Sequence, residues 1–111
     1  MVLFEEPTLD GAKESERQFQ RRVEKLATEA GWLWYHPNLS KRDKRGFPDL
    51  TFVHPVTGDM FFAELKSATG RLSPYQKEWI AALRNAGREV HVWHPVDLPA
   101  IIDRLRQCST V

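Results

Sequence analysis

The sequence predicts an α/β domain, and three observations predict it. Three stretches carry apolar residues at helical spacing. Four short runs are filled by β-branched and aromatic residues. A helical stretch lies between the third and fourth of those runs, so a crossover can make part of the sheet parallel. At 111 residues the chain buries roughly two-thirds of its unfolded surface, enough for one core. Residues 1–12, with Pro7 and Gly11, read as a loose lead-in, and 13–111 as a single domain.

The elements follow in order. From Lys13 to Ala30, the residues Phe19, Val23, Leu26, Ala27 and Ala30 paint one helical stripe. Ser15 suits its N-cap and Gly31 its stop. Residues 32–36 (WLWYH) read as a strand ended by Pro37-Asn38, and 39–47 as a basic loop. Residues 49–53 and 60–66 read as an antiparallel hairpin around the turn chemistry of 54–59, with Pro48 before it. After the loop 67–71, Ser73 and Pro74 open a second helix as N-cap and N1. Trp79, Ile80, Leu83 and Ala86 form its stripe and Gly87 ends it. Residues 89–93 are the last strand, broken by Pro95. Asp97 is the expected cap of a final helix with the stripe Leu98, Ile101, Ile102 and Leu105. The order is αβββαβα, a mixed sheet with helices on both faces.

Composition narrows the class. Apolar residues are 41% and charged residues 28%, as in a folded globular domain. No apolar run approaches the roughly 20 residues of a membrane span, and the N-terminus has neither a basic n-region nor a long apolar stretch. Cys108 is the single cysteine, which excludes an intramolecular disulfide and a multi-cysteine zinc site. An intracellular, cytoplasmic location without secretion is the expectation. There is no P-loop and no Rossmann glycine pattern, so no nucleotide cofactor is implied. The net charge is only +1, but Lys41, Arg42, Lys44 and Arg45 crowd around Asp43, and Arg17, Arg21 and Arg22 form a second cluster. Such clusters hold phosphate or simply face solvent.

Polar residues at apolar positions carry the chemistry. Glu16 falls within the angular range of the first helix's stripe, although a first-turn carboxylate also suits the helix dipole. Glu64 and Lys66 share one face of a strand whose preceding residues, Met60–Ala63, are apolar on both faces. Alone, they read as a structural ion pair. Asp49, after Gly46-Phe47-Pro48, opens the strand paired with theirs, or is a turn residue after proline. A carboxylate at the start of one strand and another at the end of its antiparallel neighbour converge, which suits a hard cation such as Mg²⁺. Gly46 allows a close backbone approach. Gln76 completes a capping box with Ser73, yet it also points along the buried stripe, where an amide needs a polar partner.

The set Glu16, Gly46-x-Pro48-Asp49, Glu64-x-Lys66 and Gln76, in αβββαβα order, resembles the PD-(D/E)xK nuclease superfamily, and more closely its virus-type replication-repair nuclease (VRR-NUC) family. The resemblance spans residues ~13 to ~95, with no departure at these positions. It implies a restriction-endonuclease-like core and a Mg²⁺- or Mn²⁺-dependent DNA endonuclease of replication, repair or recombination, bacterial or phage-encoded. It implies metal ligation by Asp49, Glu64 and the Leu65 backbone carbonyl, support from Glu16 directly or through water, a nucleophilic water handled by Lys66, and a site completed by Gln76. Lys66, an ammonium beside two carboxylates, is better placed to orient that water than to act as base. Lys41, Arg42, Lys44, Arg45 and Arg71 are the expected DNA-backbone contacts.

Three rival readings stand beside this one. A homodimeric Holliday-junction resolvase uses the same core, and Leu3, Phe4 and residues 101–111 offer apolar surface for dimerisation. A catalytically silent DNA-binding scaffold has no use for the intact set of five. A restriction enzyme needs a sequence-reading insertion for which 111 residues leave little room. His91 and His94, three apart on a strand, point to opposite faces and do not make a zinc site. His36 and His54 flank prolines and read as surface loop residues, Cys108 lacks a catalytic partner, and Trp79 reads as packing.

Overall fold

The computed structural model describes residues 14–37 and 45–107. Within them the order is α1 (Glu16–Glu29), β1 (Leu33–Tyr35), β2 (Leu50–Val53), β3 (Met60–Leu65), α2 (Pro74–Asn85), β4 (Val90–Trp93) and α3 (Leu98–Arg106), the last entered through a 3₁₀ turn at Pro95–Asp97. This is the expected αβββαβα order. The sheet runs β1-β2-β3-β4. Its first two pairings are antiparallel, and α2 carries the chain across so that β4 lies parallel to β3.

Strand alternation divides the side chains between two layers. Leu50, Phe52, Phe61, Ala63, Leu65 and Trp93 face α1 and α3, where Phe19, Val23, Ala27, Ile101 and Leu105 close the larger core. Phe62, Val90 and Val92 face the other way, under Ile80 and Leu83 of α2. β3 is therefore buried on both faces, which explains its unbroken apolar run. Among the described residues the second layer is incomplete: α2 lies over the β3–β4 half, while Leu33 and Tyr35 on β1 remain exposed.

Both expected serine caps form. Ser15 accepts from the Gln18 N–H and Ser73 from the Gln76 N–H, each with the reciprocal amide bond of a capping box. Asp97 occupies the cap position of α3, but its carboxylate accepts from the His94 N–H instead of capping the helix. The intervening 3₁₀ turn directs that side chain backward. His54 also departs from expectation. It is buried, its Nδ1 accepts from the Val56 and Thr57 N–H groups, and its ring meets Trp32 edge-on. The β2–β3 turn folds its first residue inward to satisfy that turn's own backbone.

α3 is fastened by Arg104, which bonds Glu89 and Asp59 and lies 4.4 Å from the Phe61 ring centroid. Ile101 and Leu105 are absorbed by the chain's own core, so they do not supply the dimer surface read from the sequence. Leu3, Phe4 and Cys108 lie outside the described residues. No described helix is long and apolar enough to cross a membrane.

Candidate active site

The β2–β3 register generates the site. Leu50 pairs with Ala63, and one rung further sets Asp49 against Glu64 on the α2 face. Asp49 is held by the turn before it. Gly46 has φ 90°, and a Cβ there would sit 2.4 Å from the Tyr75 carbonyl oxygen. Only glycine lets this turn press on the first turn of α2, so the close approach expected at Gly46 is to the protein's own backbone. Phe47 packs edge-on against Phe62 and Trp79, and Pro48 is buried. Trp79 is thus a packing residue, as expected.

Glu64 is 1% exposed. Its Oε2 accepts from Gln76 Nε2 at 2.8 Å and stands 3.9 Å from Lys66 Nζ. The other end of the same amide, Gln76 Oε1, accepts from the Ser73 N–H at 2.8 Å. Gln76 therefore caps α2 and holds Glu64 at once, so both of its sequence readings are correct. Asp49 Oδ2 accepts from the Leu65 N–H at 2.7 Å and replaces the next rung of the ladder. The two carboxylates touch, and Glu64 Oε1 is buried with no donor among the described residues.

Burial and mutual repulsion set the protonation. Burial raises Glu64 most, the adjacent Asp49 charge adds to it, and together they push it up to about 9 against the weaker pull of Lys66. Burial also raises Asp49, opposed by the Leu65 N–H bond. Both shifts run upward, so the pair favours sharing a proton.

This donor set fits a divalent cation. The unpartnered Glu64 Oε1 and the repulsion within the pair both call for positive charge. The N–H and C=O of one strand residue point to the same side, so the Leu65 carbonyl faces the Asp49 side of β3. Among the described residues no three His, Cys, Asp or Glu side chains gather into one site. A hard cation such as Mg²⁺ takes one or two carboxylates and fills its shell with carbonyl, water and phosphate.

Glu16 is not in the buried stripe. It is the first residue of α1 and is exposed, because the first turn extends beyond the core that covers Phe19. Its charge still reaches Glu64 and helps to raise it. Arg45 is exposed with its guanidinium 5.4 Å from the Tyr75 ring centroid, and Arg71 is exposed on the loop before α2. Lys41, Arg42 and Lys44 lie outside the described residues.

His36 is exposed just beyond β1, as expected of a surface loop residue. It stacks on Trp34, and its charge is among those that favour ionised Asp49. His91 and His94 do not converge: His91 stacks on Trp93, and His94 Nε2 lies 3.2 Å from the Gly70 carbonyl. That contact fixes the loop over the Lys66 stem, where a Cβ on Gly70 would meet Lys66 Cδ at 3.2 Å.

A mixed sheet with α1 and α3 on one face, α2 on the other and acidic chemistry where β2 and β3 meet α2 belongs to the restriction-endonuclease-like class of α/β domains. The family model for the VRR-NUC domain matches residues 5–97, and the chain belongs to that nuclease-type family. A solved structure described as a VRR_NUC domain shares the fold, with TM-score 0.65 and 24% identity over 81% of this chain and 91% of that one. No curated protein matches the chain.

Proposed function

We propose that this domain is a Mg²⁺- or Mn²⁺-dependent DNA endonuclease that hydrolyses phosphodiester bonds at the Asp49–Glu64 pair. The observation that carries the reading is Glu64 Oε1, buried without a donor among the described residues and beside a second carboxylate. Asp49, Glu64 and the Leu65 carbonyl would hold the cation, with Glu16 reaching it through water. A cation held there would neutralise phosphate charge and make a bound water more acidic.

The chain's own groups do the positioning. Gln76 fixes the Glu64 carboxylate so that Oε2 is occupied and Oε1 is left free. The Gly46–Pro48 turn fixes Asp49. Lys66, ammonium-bearing and half-buried beside Glu64, donates to the attacking water and opposes charge that develops on the phosphate. Lys41, Arg42, Lys44, Arg45 and Arg71 grip the DNA backbone. The substrate is DNA, branched or duplex, of replication, repair or recombination, and a homodimer would give a junction resolvase two symmetric cuts. The intact five-residue set speaks against a silent scaffold.

The test is cleavage of end-labelled duplex, flap and four-way-junction DNA with Mg²⁺ or Mn²⁺. Native protein cuts at least one of them, and Asp49→Ala cuts none. Equal cutting by both would remove the assignment.

A further inference from the structure

The face that carries the carboxylates continues as an open strip across β1 and β2. Cross-strand pairing arranges it in rows: Leu33, Val53 and Met60 form one, and Tyr35, Thr51 and Phe62 the next. The row after that is Asp49 and Glu64. α2 covers Phe62 but stops short of the β1 side. Tyr35 is 65% exposed, Leu33 61% and Met60 46%. Trp34, on the opposite face of the same strand, packs on the main core and donates to Thr28 Oγ1. The exposure of Tyr35 is therefore particular to this side of the sheet.

The strip is uncharged. Leu33, Tyr35, Thr51, Val53 and Met60 offer a flat aromatic ring and apolar neighbours, with no cation for a phosphate oxygen. The cations lie elsewhere along the site, at Lys66 and at Arg45 over Tyr75. A strand whose phosphates meet those cations would lay its bases toward the apolar strip. A ring beside a nucleic-acid site suits a nucleobase, and a base reaches such a ring only when it has left the duplex stack.

We infer that Tyr35, backed by Leu33, stacks on an unpaired nucleobase next to the phosphate held at Asp49 and Glu64. The inference rests on the nuclease reading and adds a base-binding residue to its site. Continuity with the carboxylate row favours a base over a second copy of the chain.

The test uses the full chain in buffer without divalent cation, so that DNA stays intact. The probes are a plain duplex and a flap, each with 2-aminopurine, in the flap at its first unpaired nucleotide. Native protein changes the flap probe's fluorescence on binding. Tyr35→Ala abolishes that change and weakens flap binding about tenfold with duplex binding nearly constant, while Tyr35→Trp restores the signal. Circular dichroism melts confirm that each variant folds. An unchanged flap signal in Tyr35→Ala would overturn the inference, as would equal weakening for duplex and flap. So would a two-chain mass by light scattering that falls to one chain in Tyr35→Ala, which would make the strip a dimer surface. Cleavage is read separately with Mn²⁺. A stacking signal without cleavage of any DNA removes the nuclease reading and leaves the base site, whereas cleavage without a stacking signal does the reverse.

Discussion

Two acidic clusters in this molecule are built from the same residue types and settle in opposite states. Where α3 meets the strand ends, Glu89 and Asp59 meet Arg104, whose guanidinium bonds both. The Arg104 bond holds Glu89 below the usual carboxylate range. Where β2 and β3 meet α2, Glu64 faces Asp49, with Lys66 at 3.9 Å, and is pushed up to about 9. One cluster solves its charge problem internally. The other leaves a buried oxygen without a donor among the described residues. The nuclease reading proposed above gives that oxygen its partner from outside the chain.

The largest expected effect falls on chemistry. Lys66→Ala should lower cleavage by at least about a hundredfold, since removing one charge-stabilising donor costs on that order, while DNA affinity stays within a few-fold. Single-turnover cleavage beside a binding titration separates the two, and parallel losses would make Lys66 a phosphate grip.

Stability contrasts the clusters next. Glu64 has a raised folded-state value, so its contribution is fully present below the ordinary carboxylate value of 4.5 and is lost as pH rises through about 9. Without divalent cation, Glu64→Gln should therefore melt higher than native at pH 8, by about 4–8 °C for each ~1 kcal/mol relieved, and should flatten that decline. A lower melting point for the variant would contradict the protonation assigned to the pair. Glu89 is lowered, so its contribution is present above 4.5 and lost as pH falls through its folded value. Arg104→Met should destabilise by about 1–3 kcal/mol at neutral pH, the cost of charged hydrogen bonds left unmade, and shrink the acid-side loss. Urea melts at pH 4 and 7 check this.

The smallest effect is on DNA grip. Replacing Lys41, Arg42, Lys44 and Arg45 together should flatten the salt dependence of binding by roughly one counterion per lost phosphate contact. An unchanged slope would return the loop to ordinary solvated surface.

Asp49, Glu64 and Gln76 were legible because strand alternation, hairpin register and capping spacing are local rules, and all three act on the same face. Glu16 was legible as a residue but not in its burial. A helical wheel treats every turn as equally covered, and the first turn of α1 is not. His36 and His54 look alike in sequence, each before a proline. One lies near Asp49 and the other is buried under Trp32, a difference decided by which way each chain segment turns. The Arg104 cluster joins residues 59, 89 and 104, far apart in the chain, and no period connects them. Ile101 and Leu105 read as spare apolar surface because the sequence does not reveal that α3 docks beside α1.

The central claim is that a cation takes the place of the proton held by Asp49 and Glu64. It is tested most directly by calorimetric titration of the native chain with Mn²⁺ at pH 7, in two buffers of different ionisation enthalpy. Binding should release about one proton, because ligating carboxylates must be ionised, and Asp49→Ala should abolish both the heat of binding and the release. Mn²⁺ binding without proton release, or equal binding by Asp49→Ala, would contradict the account.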